Sequence, residues 1–371
     1  MKKSYATHTL ILLGLFFITL SVSCKKDNNP APPVNTISDP VNFAKLGLYE
    51  QIGGSTRRIF IAVSQMGSQP FASPYGLVFD TGSTGMTIDA NGILPASMIT
   101  ANGLIVAGDS VNVNGITVTS QQALITYGGV DGSVQEYGNL AYATVQLGDG
   151  HGSITTPRIP FFLYYKIVNT TTGKQLAAHS ADVFGVGPGV SYASRLIGSP
   201  LSYFKLGANI TSGFRLAVLP SSGFNATATY VPNLLYIGLT PRDLSGSNFI
   251  MHPLTYNAIS GYLPNIESTV TYGGTSIAAS ILFDTGTPTT SIIENSAATA
   301  NVANLPANTV VSFTTSQGFN YQYTVTSTAN ATEVENPSYS NDTRTIFSID
   351  FFLNNEYLID YTSHRIGLKN N

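Results

Sequence analysis

The sequence predicts an all-β protein made of two related halves. Three observations support this prediction: short apolar segments alternate with turn residues along most of the chain, segments with helical periodicity are few, and one pattern around Asp-Thr-Gly occurs twice. With 371 residues, of which 43% are hydrophobic and 10% charged, the chain has enough apolar material for more than one core. The net charge of −3 and the lack of a basic cluster in the mature chain exclude an electrostatic nucleic-acid surface.

The first residues resemble an export signal. Lys2 and Lys3 precede an apolar run from Leu10 to Leu20, which is too short for a stable membrane span and is typical of a signal peptide. We therefore assign residues 1–23 to a signal peptide and exclude them from the fold.

Cys24 is the only cysteine of the chain and follows a small residue, Ser23, directly after this run. This arrangement resembles a bacterial lipobox, so we expect an exported protein whose lipidated Cys24 anchors it to the outer membrane or cell surface. Ordinary cleavage after Ser23, which would leave a secreted or periplasmic protein, is the alternative. Residues 24–40 are rich in Pro and Asn and are expected to form a tether.

The mature chain consists mainly of predicted strands. β-Branched and aromatic residues dominate short segments that end in turn residues, and regular intervening helices are missing, which favours a sandwich or barrel over a parallel α/β sheet. Two short helices are predicted, at Ala193–Leu201 and Glu294–Val302. The predicted strands are Arg58–Val63, Tyr75–Phe79, Gln122–Thr126, Leu140–Gln146, Phe161–Val168, Phe214–Leu219, Leu234–Ile237, Ile277–Phe283, Thr309–Phe313, Tyr321–Val325 and Glu356–Tyr361.

An internal repeat defines the organisation. Leu77–Ile88 has the sequence LVFDTGSTGMTI, and Ile281–Ile292 has the sequence ILFDTGTPTTSI. One Asp-Thr-Gly after a strand would be explained by a tight turn, but two copies in the same apolar context indicate two related lobes. We predict an N-terminal lobe at 41–242 and a C-terminal lobe at 243–371.

The repeat places one carboxylate in each half, Asp80 and Asp284. Two carboxylates held face to face share a proton, so one can act as general base toward a water while the other protonates a carbonyl oxygen. The residues that follow are expected to support the pair: glycines that admit backbone N–H groups, threonines that bond across the lobes, and hydroxyls that bond the outer carboxylate oxygens. These are Gly82 and Gly286, Thr81 and Thr285, and Ser83 and Thr287.

Beyond the two motifs, the mature chain resembles the pepsin family of aspartic peptidases. Ile125–Gly129 (ITYGG) resembles the family's flap, with Tyr127 and Gly128 as the substrate-covering residues, and Ala181–Gly189 resembles the segment that threads beneath the first catalytic loop. Ser199–Phe204 and the C-terminal stretch Ile346–Leu368 match further family segments. The resemblance implies a bilobal fold of two related β-barrel-like lobes, with a central active-site cleft that binds an extended peptide.

The sequence departs from the family at several positions. Thr87 replaces the tryptophan of the first motif, Pro288 replaces a serine of the second, and Ser348 stands where a glycine is usual. Without the indole, we expect the hydroxyl of Tyr127 to lack its usual partner, so that Tyr127→Phe costs much less activity than Tyr127→Ala. The alternative is that Tyr127 merely packs on the sheet.

The predicted function is hydrolysis of peptide bonds in extended polypeptides by an aspartic endopeptidase that uses Asp80 and Asp284 to activate a water. The alternative is a catalytically inactive surface lipoprotein of the same fold that binds a protein or a glycan. We expect no cofactor, no metal and no nucleic-acid partner, because the histidines show no metal-ligand spacing. A monomer that meets the membrane only through its N-terminal lipid is expected.

Overall fold

A computed structural model describes residues 41–129, 132–299, 303–326 and 329–371. The predicted signal peptide, Cys24 and the tether lie outside the described residues. Within the described part of the chain, no helix is both long enough and apolar enough to cross a membrane.

Strands dominate the described chain, as predicted. The first sixteen are β1 (Ala44–Gly53), β2 (Thr56–Met66), β3 (Gln69–Asp80), β4 (Thr84–Asp89), β5 (Ile99–Thr100), β6 (Gly103–Leu104), β7 (Ser110–Val113), β8 (Ile116–Gly129), β9 (Gly132–Ala143), β10 (Val145–Asp149), β11 (Gly152–Thr155), β12 (Ile159–Asn169), β13 (Val183–Val186), β14 (Thr211–Leu216), β15 (Thr229–Leu239) and β16 (Ile250–Pro253).

The second part of the chain continues in the same way. Its strands are β17 (Tyr256–Asn257), β18 (Gly261–Tyr262), β19 (Asn265–Tyr272), β20 (Thr275–Phe283), β21 (Ser291–Glu294), β22 (Ala303–Asn304), β23 (Val310–Thr315), β24 (Asn320–Thr324), β25 (Thr332–Glu335), β26 (Arg344–Phe347), β27 (Asn355–Asp360) and β28 (Arg365–Asn370). The helical segments are single turns: α1 (Pro337–Ser340), four 3₁₀ segments (Ala96–Met98, Pro200–Tyr203, Ser221–Gly223 and Ile349–Leu353) and one π turn (Arg242–Gly246).

Most strands belong to two sheets. The larger sheet has the order β16-β28-β27-β14-β15-β1-β2-β3-β13-β4-β12-β9-β8-β7, with β10 paired to β2 and β11 paired to β10. The smaller sheet has the order β22-β25-β21-β26-β20-β19-β23-β24. The last two strands of the chain join the larger sheet through β14, and β16 pairs with β28. The predicted all-β, two-lobed architecture is therefore confirmed, whereas the lobe boundary between residues 242 and 243 stays a prediction.

The repeat seen in the sequence is also a repeat of topology. In the first lobe β13 pairs in parallel with β3 and antiparallel with β4. In the second lobe β26 pairs in parallel with β20 and antiparallel with β21. A later strand therefore inserts, in each lobe, between the strand that leads to Asp-Thr-Gly and the strand that leaves it.

In each lobe, a pair of aromatic side chains packs between the strand that leads to Asp-Thr-Gly and the inserted strand beside it. Phe79 stacks on Phe184 with ring centroids 6.3 Å apart, and Phe283 stacks on Phe347 at 5.9 Å, each pair joining neighbouring parallel strands. All four rings are buried, and burial of such a ring contributes about 1.5–3 kcal/mol. The residue before each motif aspartate is therefore an anchor of its lobe.

Both predicted helices are wrong. Pro200 begins a 3₁₀ turn at Pro200–Tyr203 instead of ending a helix that starts at Ala193, because proline cannot occupy the interior of a helix. In the other segment Glu294 ends strand β21, which pairs with β25, so the described part of Glu294–Val302 continues from a strand. Pairing with a distant strand overrides local helix propensity there.

Candidate active site

The fold brings Asp80 and Asp284 together. Asp80 ends β3, and Asp284 directly follows β20. Each aspartate lies against the glycine of the other motif: a Cβ added to Gly82 would be 2.5 Å from Cγ of Asp284, and one added to Gly286 would be 2.7 Å from Cγ of Asp80. Any side chain at either glycine would thus collide with a carboxyl group, which explains why both motifs need glycine at this position.

Each carboxyl group accepts hydrogen bonds from its own loop. The backbone N–H of Gly82 donates to Oδ1 of Asp80 at 2.7 Å, and that of Gly286 donates to Oδ1 of Asp284 at 2.7 Å. Hydroxyl groups bond the other oxygens: Ser83 to Oδ2 of Asp80 at 2.6 Å, and Thr287 to Oδ2 of Asp284 at 2.7 Å. The two loops therefore hold their carboxyl groups in the same way, as expected from a repeat.

Thr81 and Thr285 join the two motifs. The backbone N–H of Thr285 donates to Oγ1 of Thr81 at 3.0 Å, and the N–H of Thr81 donates to Oγ1 of Thr285 at 3.1 Å. Each hydroxyl in turn donates to the carbonyl before the opposite aspartate, Thr81 to Phe283 at 2.8 Å and Thr285 to Phe79 at 2.6 Å. Both threonines are fully buried, so these reciprocal bonds fix the spacing of the two carboxyl groups.

The electrostatics of the pair favour a shared proton. Burial raises the pKa of Asp80, and the charge of Asp284 and a side-chain hydrogen bond with it raise that pKa further. The bonds from Ser83 and Gly82 act in the opposite direction but do not outweigh burial. Because two adjacent carboxylates cannot both be ionised without a large cost, Asp80 keeps its proton to higher pH than an exposed aspartate does.

The inserted strands support each loop differently. A Cβ on Gly185 of β13 would lie 2.8 Å from the carbonyl oxygen of Gly85, so only glycine fits there. Ser348 stands at the matching place of the second lobe, where its φ of −70° suits any residue, and its hydroxyl donates to the carbonyl of Thr289 at 3.2 Å. The departure from the family's glycine at this position therefore leaves the loop supported.

The β1–β2 hairpin reaches the second motif from the other lobe. The backbone N–H of Arg57 donates to the carbonyl of Pro288 at 3.0 Å, and its guanidinium pairs with Asp350 at 2.6 Å. Arg58 donates to the carbonyl of Gly286, and the charges of Asp284 and Asp80 act on its guanidinium. The contacts of these two arginines were not predicted from the sequence, because a single strand does not show which loop of the other lobe it will contact.

Tyr127 lies at the end of β8, in the hairpin formed with β9. Its side chain packs against a buried cluster that includes Ile125, and the charge of Asp80 contributes to raising the pKa of its hydroxyl. The next residue, Gly128, has a φ of 114°, a conformation that glycine adopts without strain.

The expectation that the Tyr127 hydroxyl lacks its usual partner, the missing indole, stays a prediction. Thr87 and Glu136 both interact electrostatically with this hydroxyl. Glu136 was not identified from the sequence, although an acidic residue at an inward-facing position of an alternating strand is a signal that could have identified it. Burial raises the pKa of Tyr127 far above its ordinary value, and Thr87 opposes that shift.

Other groups considered from the sequence do not form a second site. The described residues contain no group of three or more His, Cys, Asp or Glu side chains suited to a metal ion. His179 instead shares a 2.6 Å hydrogen bond with Asp182, which also accepts one of 2.6 Å from Tyr164. These residues form a polar network of the first lobe that is buried at Asp182 and Tyr164 and partly exposed at His179.

Comparison with known proteins supports the fold. No family model matches the sequence, and no curated protein matches it significantly. Among solved structures, the chain is similar to the aspartic proteinase from Irpex lacteus, with a TM-score of 0.57 and 17% sequence identity. The match covers 88% of this chain and 98% of that one. The chain therefore has the bilobal, all-β fold of a pepsin-like aspartic proteinase, with two motif loops that meet where the lobes join.

Proposed function

We propose that the protein is an aspartic endopeptidase in which Asp80 and Asp284 activate a water to hydrolyse peptide bonds. The observation that carries the proposal is the pairing of these two carboxyl groups, each held by the same set of loop hydrogen bonds and locked to the other by Thr81 and Thr285. An inactive site has no need of two matched carboxyl groups, one of which is buried beside the other and has a raised pKa.

The chemistry follows from the single shared proton. The ionised carboxylate takes a proton from a water, whose oxygen attacks the peptide carbonyl, while the protonated carboxyl group gives its proton to the carbonyl oxygen. When the tetrahedral species collapses and the C–N bond breaks, the first carboxyl group passes the water proton to the leaving amine, and the second takes a proton back from a hydroxyl of the tetrahedral carbon, so the pair again shares one proton. No covalent bond to the protein is formed, so neither a serine nor a cysteine nucleophile is required.

The substrate in this proposal is an extended polypeptide. Strand edges recognise such chains by main-chain hydrogen bonds, and side-chain pockets supply the selectivity. The charge of Asp80 contributes to raising the pKa of Tyr127. The ring of Tyr127 would cover the bound chain and exclude water from the two carboxyl groups. Gly128 beside it would let the hairpin approach the substrate backbone.

The cellular location of the protein is also part of the proposal, and only the sequence supports it. Cys24 after an apolar signal would carry the lipid that anchors the protein at the outer membrane or cell surface. Mass spectrometry of the N-terminal peptide tests this directly: diacylated Cys24 is expected, and an unmodified chain beginning at Cys24 would favour the secreted or periplasmic alternative.

Digestion of a denatured protein between pH 3 and 8, with and without a statine-type inhibitor, tests the activity. We expect cleavage that is fastest at acidic pH and is blocked by the inhibitor. Inhibitor binding without cleavage at any pH would instead support the alternative, an inactive protein of this fold that grips its partner in the cleft.

A further inference from the structure

Glu136 is a buried carboxylic acid on β9, the second strand of the flap hairpin, and the proposed chemistry does not use it. Strand pairing places Glu136 opposite Ile125 and Tyr127 opposite Val134, so Glu136 and Tyr127 lie on the same face as diagonal neighbours. The side chain of Glu136 is fully buried, and neither of its oxygens has a hydrogen-bond partner among the described residues. A buried carboxyl group without a partner requires an explanation, because it is costly to retain.

Thr87 completes the cluster from the neighbouring strand β4. This residue is 1% exposed, and its hydroxyl also lacks a hydrogen-bond partner among the described residues. Its hydroxyl nevertheless interacts with both the carboxyl group of Glu136 and the hydroxyl of Tyr127. Three polar groups therefore interact at the place where the pepsin family carries a tryptophan, and Thr87 and Glu136 have no hydrogen-bond partner among the described residues.

The surroundings of Glu136 favour its neutral form. Burial has the largest effect, and the negative charges of Asp182 and Asp89 add to it, while only Thr87 opposes them, so the pKa of Glu136 rises to about 9. Tyr127 and Tyr164 are the other titratable groups that interact with it. At acidic and neutral pH the group is therefore a carboxylic acid, with one O–H donor and one free acceptor.

We propose that Glu136 is a positioning residue that, together with Thr87, holds the hydroxyl of Tyr127 when the flap closes over Asp80 and Asp284. Glu136 takes over the anchoring task of the missing indole. Glu136 and Tyr127 move together with the hairpin, so a small movement toward Thr87 on β4 brings both within hydrogen-bond reach of its hydroxyl, and the closed flap gains hydrogen bonds that the open flap lacks. The inference rests on the proposed peptidase function.

A purely structural role makes a different prediction from a positioning role. Replacing a buried, unpartnered carboxyl group by an apolar side chain of similar size is neutral or stabilising. Glu136→Leu is therefore expected to keep or raise the melting temperature at pH 7 while it lowers activity. Glu136→Gln keeps a neutral group with a donor and an acceptor, so it is expected to retain activity.

The test is a double-mutant cycle in kcat/KM on one peptide substrate at acidic pH, with the full mature chain. Glu136→Leu and Tyr127→Phe should each lower kcat/KM about tenfold, and the double variant should be no more than about twofold worse than Tyr127→Phe alone, because both remove the same contact. Glu136→Gln should stay within about threefold of the wild type. Glu267→Leu, which removes an exposed carboxyl group on β19, is the matched control and should behave as the wild type does.

The cycle separates the two proposals. If the wild type cleaves the peptide and the inhibitor blocks it, but the losses of Glu136→Leu and Tyr127→Phe multiply or Glu136→Leu has no effect, only the role of Glu136 is overturned. If the wild type cleaves nothing, both the peptidase function and this role are refuted. A melting temperature that falls strongly in Glu136→Leu would assign Glu136 to stability and would likewise overturn the proposal.

Discussion

Thr285→Val removes a hydroxyl from the centre of the molecule without changing the shape of the side chain. The hydroxyl of Thr285 donates to the carbonyl of Phe79 at 2.6 Å and accepts from the N–H of Thr81 at 3.1 Å, and the residue is fully buried. A typical bond contributes about 0.5–1.5 kcal/mol net, and a buried group left unpaired costs about 1–3 kcal/mol. Loss of two such bonds should therefore destabilise the protein by about 2–4 kcal/mol.

Thr87→Val is the matched control for this experiment. Thr87 is also a buried threonine, but its hydroxyl lacks a hydrogen-bond partner among the described residues. Calorimetric melting at one pH should give a clearly lower melting temperature for Thr285→Val and an unchanged or slightly higher one for Thr87→Val. If the two variants melt alike, the reciprocal threonine bonds do not hold the lobes together, and the reasoning about the pair's spacing is refuted.

Three further outcomes follow from the charges and protonation states. Burial raises the pKa of Glu50 to about 8 and that of Glu136 to about 9, so the folded protein keeps two protons that the unfolded chain releases near pH 4.5. The contribution of these two groups to the free energy of unfolding, measured as the difference between the wild type and Glu50→Gln or Glu136→Gln, should therefore be largest below that pH and fall as pH rises toward 8–9; a difference that grows with pH would contradict the assignment. Arg57→Leu leaves the buried Asp350 without its ion pair and should lower the free energy of unfolding, measured with denaturant, by about 3 kcal/mol. Arg344→Leu is the control: its pair with Asp342 is about one third exposed, so its loss should lower that free energy by less than about 1 kcal/mol. Equal losses would argue against a role of Arg57 between the lobes. Because the pKa of Asp80 is raised, peptidase activity should be retained at acidic pH and lost as pH rises through that pKa, and a rate that increases into the alkaline range would exclude the shared proton.

Much of the fold and most of the candidate site could be predicted because the signal is local. Strand, Asp-Thr-Gly and strand lie within one short segment, and its second copy fixes the pseudo-symmetry of the whole molecule. The glycines and threonines of the motifs lie where that local chemistry requires them. The contacts of these glycines and threonines across the two lobes could be predicted only because the two motifs are expected to face each other as symmetric copies.

Features that depend on partners from distant segments could not be predicted. The burial of Glu136 depends on β9 lying between β8 and β12, and one strand alone does not show which of its faces will be covered. The same limitation explains why Arg58 and Glu50 were missed. It also explains the wrong helix at Glu294, where pairing of β21 with β25 decides the structure.

Separate substitution of Asp80 and Asp284 tests directly whether hydrolysis depends on the pair of carboxyl groups. Hydrolysis of one fluorogenic peptide at acidic pH is compared among the wild type, Asp80→Asn and Asp284→Asn, with Asp109→Asn, on an exposed loop, as the control for loss of a carboxylate. Both motif variants are expected to lose at least about a thousandfold in kcat/KM while their melting temperatures stay unchanged or rise, and Asp109→Asn is expected to keep full activity. Activity within tenfold of the wild type in either motif variant would show that hydrolysis does not need the pair.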